Sequence, residues 1–385
     1  RGRAITAKPP MRLLTGLPDG FLAQQLLPQL LIKHPELYVL CLVADAGFDR
    51  AHEIPSRLSS EERERVELLR GDVSAMDFGM SGAGFLDLAA RVDIIHHCTC
   101  ANQASIGRDL EWRHYVSSTG EILELAAASG ERLRKLVHWS SALLFTPQSG
   151  RVSESEFSDA ARPRSRDDEM RFRADSLVRA SMSRVPITLL RPSIVVGDSK
   201  TGEMDRNEGP YALLQLIVSS PRELRLPLPG PGDQPCHFVP IDYVIEAGLA
   251  IADHPESTGR TFQITDERPT SLARVFDLIN EAAERPSAPP GLARNLAALL
   301  FHAPGLERLA QVPKSFLDLL AMEVTYDSRN TRELLAGTGI ECPSVTSYIR
   351  TMVQRVRRDM EQSIRPARRP RRDPHFDELD DPLDA

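Results

Sequence analysis

Short aliphatic runs alternate with longer amphipathic stretches along the first half of the chain. Residues 11–15 form an apolar run, 16–20 a loop, 21–32 a mostly apolar helical pattern and 37–43 a second strand. The alternation continues with strands near 66–69, 92–96 (which includes Asp93) and 136–140, separated by helical patterns around 84–90 and 115–128. Strands joined by helices of ten or more residues predict an α/β architecture, a doubly wound parallel sheet with right-handed crossovers. Residues 150–166 are polar and rich in Ser, Pro and charge, which predicts a loop over the sheet edge; 167–183 read as a helix and 186–190 as a strand running into Arg191-Pro192-Ser193. Beyond 203 the texture changes: Gly and Pro surround a helix at 211–218, and a helix at 271–284 has Thr270 or Ser271 as its N-cap. Residues 285–312 suggest two short helices over a cleft. From 361 onward a basic run at 365–372 is followed by an acidic one, a composition that predicts disorder.

This pattern divides the chain into an N-terminal extension (1–10), a main domain (11–200 with a returning segment at 235–266), a smaller, mostly helical C-terminal lobe (201–234 and 267–360) and a charged tail (361–385). With 385 residues there is enough chain for a full core. A net charge of −7 supplies no basic field for nucleic acid, and no apolar run approaches the ~18–20 residues of a membrane span. Cys41, Cys98, Cys100, Cys236 and Cys342 lack the spacing of a zinc ribbon or a disulfide framework, and no apolar signal core follows the charged N-terminus, so cytoplasm is the expected compartment.

The first strand empties into Thr15-Gly16-Leu17-Pro18-Asp19-Gly20-Phe21-Leu22-Ala23, which opens a helix. Glycines here let the backbone turn tightly and approach a pyrophosphate, whose charge is favoured by the free N–H groups at the helix start. The gap from Gly16 to Gly20 is one residue longer than usual, and Asp19 places like charge beside the expected phosphate. At the end of the second strand, Asp45 is placed to take a ribose hydroxyl and repel a 2′-phosphate, a lean toward NAD over NADP; a surface turn is the alternative.

That loop, Gly71-Asp72-Val73, the strand containing Asp93 and His96, Trp139-Ser140-Ser141-Ala142 and Arg191-Pro192-Ser193-Ile194-Val195-Val196-Gly197-Asp198 follow the order of extended short-chain dehydrogenases. The chain most resembles the fatty acyl-CoA reductase, thioester reductase and male-sterility branch. Arg191 through Gly202, Gly209-Pro210-Tyr211, Val239-Pro240-Ile241-Asp242-Tyr243 and Gly339-Ile340-Glu341-Cys342-Pro343 carry that likeness, which covers roughly residues 11–358. The resemblance implies a Rossmann fold that binds NAD or NADP and an ancestral reduction of a carbonyl or acyl thioester. It places Asp72 near the adenine, Cys98 and Thr99 near the nicotinamide ribose, and Pro192 and Ser193 beside the nicotinamide, and counts Thr15, Gly16, Gly20, Phe21, Leu22, Val73 and Ile194 among the cofactor-binding residues. It also implies a dinucleotide, a small acyl or carbonyl ligand, and a homodimer or protein partner.

Such reductases need a Tyr to move a proton, a Lys four residues on to lower its pKa and hold the ribose, a Ser to fix the carbonyl, and usually an Asn to continue the relay. Ser141 fits the Ser position. Counting back from Ala174-Asp175 puts Asp167 at the Tyr position and Arg171 at the Lys position, while Tyr115 falls at the Asn position. None of the six tyrosines is followed by Lys at the fourth position, and the only lysines are Lys8, Lys33, Lys135, Lys200 and Lys314. Arg171 can still hold a ribose or phosphate, but a guanidinium is a poor proton shuttle.

Two readings follow. In the first, the protein binds a dinucleotide with an impaired relay, as a cofactor sensor or scaffold. In the second, it is an active reductase using Ser141 and a non-standard acid such as Tyr211 or Tyr243. A metal held by His96, Cys98 and Cys100 lacks a fourth ligand at a fitting spacing, and no nucleophile-elbow pattern surrounds Ser141; neither a metal site nor a hydrolase is expected.

Overall fold

The computed structural model describes residues 10–98, 111–145, 149–154, 163, 165–205, 209–220, 228, 230–286 and 312–364. Strands β1 (Met11–Leu14), β2 (Tyr38–Val43), β3 (Val66–Arg70), β4 (Ile94–Cys98), β5 (Lys135–Trp139), β7 (Ile187–Pro192) and β8 (Thr261–Ile264) form one parallel sheet in the order β3-β2-β1-β4-β5-β7-β8. The order reverses direction between β1 and β4, and a ligand crevice opens at the carboxyl ends of the strands at such a switch point.

Period-two alternation buries both faces of the sheet. Leu14, Val39, Cys41 and Val43 face α1 (Phe21–Lys33) and α7 (Ile241–Asp253), where Leu26, Leu27, Leu30 and Val244 complete one core cluster. Leu13, Leu40 and Leu42 point the other way, onto α3 (Gly82–Arg91), α4 (Ser118–Ala128) and α5 (Arg166–Ser181) through Phe85, Leu88, Ile122, Leu125 and Val178. A short helix missed in the sequence reading, α2 (Asp45–Ala51), leaves β2 directly.

A separate core holds the lobe. It packs α6 (Gly209–Ser219), α8 (Leu272–Ala282), α9 (Lys314–Leu320) and α11 (Val345–Ile364) around Ile217, Leu272, Val275, Phe316, Met352 and Val356. Ser271 is the N-cap of α8, accepting from Arg274 N. Helix α10 (Arg329–Leu335) returns to the main sheet, where Leu334 and Leu335 join the first core cluster.

Two expectations are corrected here. Part of the expected loop at 150–166 is a strand, β6 (Ser149–Val152), which pairs in parallel with β9 (Glu323–Tyr326); those segments lie too far apart in sequence for a local pattern to reveal the pairing. The tail does not begin at 361, because α11 runs on to Ile364. The basic and acidic runs after it lie outside the described residues, as does most of 285–312. Next to β6, Glu154 is buried and accepts from the backbone N–H groups of Gln263, Asn330 and Thr331, tying the edge strand β8 to the start of α10.

Candidate functional site

The loop after β1 is shaped by backbone geometry. Gly16 has φ +98°, and a Cβ there would sit 2.8 Å from the carbonyl oxygen of Cys98 on the neighbouring strand, so only glycine lets the turn lie this close to β4. Thr15 Oγ1 accepts from the Cys98 N–H at 3.2 Å and shares a hydrogen bond with His97 Nδ1 at 2.8 Å; the other ring nitrogen of His97 faces Thr119 Oγ1 at 3.3 Å. Burial holds His97 well below the usual imidazole range, so it stays neutral in this chain. No side chain caps α1 at Gly20, which leaves the free N–H groups of its first turn for a ligand.

The extra residue in the loop is accommodated sideways. Pro18 leans on α2, where a Cβ at Gly47 would meet its ring at 2.7 Å, and Asp19 forms an ion pair with Arg50. The expected repulsion between Asp19 and a phosphate is thus offset by a neighbouring guanidinium. Asp45, though exposed, is not a free strand-end acid. It is the first residue of α2, and its carboxylate lies 2.8 Å from Arg70, which also stacks on Phe48. Asp72 is likewise engaged, accepting from Ser74 N–H and Oγ and from Arg113 at 2.9 Å. Val73 beside it is half-buried, Cys98 is buried at the end of β4, and Thr99 and Cys100 lie outside the described residues. A cradle that needs glycine, a helix start without a side-chain cap and acids already paired with arginines fit a dinucleotide.

Beside the loop lies a cavity of about 190 Å³ between the sheet and the lobe. It brings together Phe21, Leu22, Ser141, Arg171, Pro192, Ser193 and Ile194, seven of the residues singled out in the sequence, and the lobe closes it with Phe316 and Leu319. Ser141 Oγ accepts from the Leu143 N–H at 3.2 Å, which leaves its hydroxyl hydrogen to donate elsewhere. Ser193 is buried and donates to the His237 carbonyl at 2.9 Å.

The positions expected for the proton relay form a cluster of their own. Ser165 caps α5 by accepting from Asp168 N, and Asp167 in its first turn pairs with Arg171 one turn on, at 2.8 Å. Arg171 Nε also donates to the Tyr115 hydroxyl at 3.1 Å, and its guanidinium carbon lies 5.0 Å from the centre of that ring. Tyr115 sits on a π-helical turn, Arg113–Ser117, and is fully buried. A phenol and a cation therefore do meet at this wall, but the phenol lies behind the guanidinium and does not line the cavity. Neither Tyr211 nor Tyr243 lines it, so neither is placed as the alternative acid; Tyr243 borders a separate pocket near Asp266 and Cys342.

Sequence reasoning missed what stands behind this wall. Asp175 and Arg191 form a fully buried ion pair with contacts at 3.1 and 2.5 Å, and Ser140 Oγ donates to Asp175 at 2.6 Å. The pair ties α5 to the ends of β5 and β7, and so fixes the turn that presents Ser141. An acid and an arginine sixteen residues apart carry no local signal of pairing.

Comparison with known proteins agrees with this geometry. Residues 14–248 match the family model described as male sterility protein, an NAD-binding domain. A linear gramicidin synthase component of Brevibacillus parabrevis is 24% identical over 372 residues, covering 88% of this chain and 7% of that protein. A Drosophila melanogaster protein named as a fatty acyl-CoA reductase is 23% identical over 317 residues, 69% of this chain and 57% of its own. The chain spans less than two thirds of the length of these curated relatives, and 5% of a hybrid PKS-NRPS synthetase from Talaromyces variabilis. Among solved structures, the terminal R domain of the myxalamid PKS-NRPS pathway superposes with a TM-score of 0.76 at 24% identity, covering 92% of both chains, which supports the fold. No helix among the described residues is long and apolar enough to cross a membrane. With a family model matched over more than half its length, this chain belongs to the male-sterility family of NAD-binding domains.

Proposed function

We propose that this protein binds NAD or NADP in the crevice above β1 and β4 while its proton relay is impaired, so that it acts as a cofactor sensor or scaffold rather than a reductase of ordinary rate. The observation that carries this reading is the Asp167, Arg171 and Tyr115 cluster. Of the three residues expected at relay positions, Arg171 holds both Asp167 and the Tyr115 hydroxyl, and a guanidinium is a poor proton shuttle. A bound nicotinamide cofactor would supply the hydride chemistry; on this reading Arg171 orients the ribose, and the apolar cavity admits a small acyl or carbonyl group. Because Asp45 is paired with Arg70, its charge discriminates little against a 2′-phosphate, and the lean toward NAD loses its support.

The test is a dinucleotide titration by calorimetry alongside turnover assays with aldehydes and acyl-CoA thioesters. Saturable binding with little or no turnover is expected. Installing the missing pair with Asp167→Tyr and Arg171→Lys is expected to raise turnover by about 10²–10⁴. Ordinary reductase rates in the unmodified protein would overturn the reading; if those rates then fell in Ser141→Ala, they would instead support the second reading, in which the retained Ser141 hydroxyl works with a non-standard acid.

A further inference from the structure

At the opposite, amino-terminal edge of the sheet lies a larger cavity of about 500 Å³. The first residues of β1, β4 and β5 form its floor, and the ends of α1 and α7 form its sides. Three cations line it: Arg12 and Lys135, both buried, and Arg134, which is exposed. Two carboxylates also line it, but each is already matched by a cation outside the lining. Asp93 lies 2.8 Å from Arg132 and accepts from Met11 N, and Asp253 lies 3.0 Å from Lys33 as well as 2.9 Å from Arg12.

Counting those pairs as neutral leaves Arg12, Arg134 and Lys135 as excess positive charge around one concave space, in a chain whose net charge is −7. The three feel one another: Arg134 is among the charges that push down the pKa of both Arg12 and Lys135, for which burial is the larger cause, and the Lys135 ammonium is lowered to about 8. Helix capping accounts for part of this charge. Lys135 spends its donors on the carbonyls of Ala252 and His254 at the end of α7 and on Ser257 Oγ, so it offers the cavity charge rather than hydrogen bonds. Capping does not account for Arg134, whose side chain makes no hydrogen bond or ion pair among the described residues.

We infer that this cavity is a binding site for a phosphate-type oxyanion, with Arg134 supplying the planar fork of donors and the buried Arg12 and Lys135 supplying the field. An arginine fork matches the spacing of phosphate oxygens, and a low-dielectric floor strengthens the attraction. The site lies across the sheet from the dinucleotide crevice and does not depend on the function proposed above.

The full chain is titrated with inorganic phosphate and, separately, with glycerol phosphate in chloride buffer of low ionic strength, followed by calorimetry and phosphorus NMR. Saturable binding is expected. It should weaken at least about tenfold in Arg134→Glu, whose exposed position should leave the melting temperature unchanged, and it should be unaltered in Arg50→Glu beside the Gly16 loop. Tighter binding of the ester than of the free ion would identify a phosphorylated metabolite as the ligand; equal binding would identify phosphate itself. Absence of saturable binding, equal affinity in Arg134→Glu, or loss in Arg50→Glu alone would overturn the inference, the last by placing the anion at the nucleotide loop.

Discussion

On the loop side of the cavity, the groups that face a ligand belong to the backbone: the turn at Gly16, the first N–H groups of α1 and the strand ends beneath them. On the opposite wall they are side chains, and Asp167, Arg171 and Tyr115 are bound to one another. The two walls tolerate change differently. A backbone cradle depends on a few residues that permit a conformation, so Leu17, Pro18 and Asp19 can vary provided the extra chain finds somewhere to lie, here against Gly47 and Arg50. A proton relay depends on the chemistry of each side chain, and a guanidinium is a poor substitute for an ammonium in moving protons.

The strongest way to break this comparison is to disturb the support behind the relay wall. Asp175→Ala leaves Arg191 buried without its partner and is expected to cost about 3–5 kcal/mol of stability in urea unfolding. A loss below about 1 kcal/mol would mean that the pair does not anchor this wall.

Next comes the loop itself. Gly16→Val forces a branched side chain into the left-handed region and against the Cys98 carbonyl, at a strain of about 1–2 kcal/mol. Dinucleotide affinity is expected to fall about tenfold or more, whereas Arg171→Ala should change it only a few-fold. The reverse ranking would show that side chains, not backbone, dominate cofactor binding.

The smallest effect concerns acid. Burial lowers the pKa of His97, and that of His138 to about 3. Below the ordinary imidazole value of about 6.5 the unfolded chain takes up protons that the folded chain refuses, so stability contributed by the neutral rings is complete above that pH and lost as pH falls. Each such ring adds a slope of at most about 1.4 kcal/mol per pH unit. Measured between pH 6.5 and 5, the slope should flatten in His97→Gln. An unchanged slope would indicate that His97 titrates normally and that its ring is not held against Thr15.

Much of the fold was legible because its signals are local. The aliphatic run before Gly16, the glycine turn and the amphipathic helix after it all fall within one window, and a doubly wound parallel sheet follows from the alternation of strands and helices. The neighbourhood of Asp167 and Arg171 was legible for the same reason, since the two lie one turn apart along one helix. Three things were not. Pairing of β6 with β9 joins segments more than 160 residues apart, the engagement of Asp45 by Arg70 crosses two strands, and Tyr115 reaches Arg171 from a different helix.

The sequence alone determined that strands and helices alternate, that a glycine turn opens the first helix, and that no tyrosine stands four residues before a lysine. Only the tertiary structure decided which charges meet: that Asp19 and Asp45 are matched by arginines, that Arg171 joins Asp167 to Tyr115, and that three cations gather at the far edge of the sheet. The reason is physical. Hydrogen bonding and hydrophobic periodicity act over a turn or a strand and leave their mark on neighbouring residues, whereas electrostatic pairing is set by distance in space, which the chain order does not record.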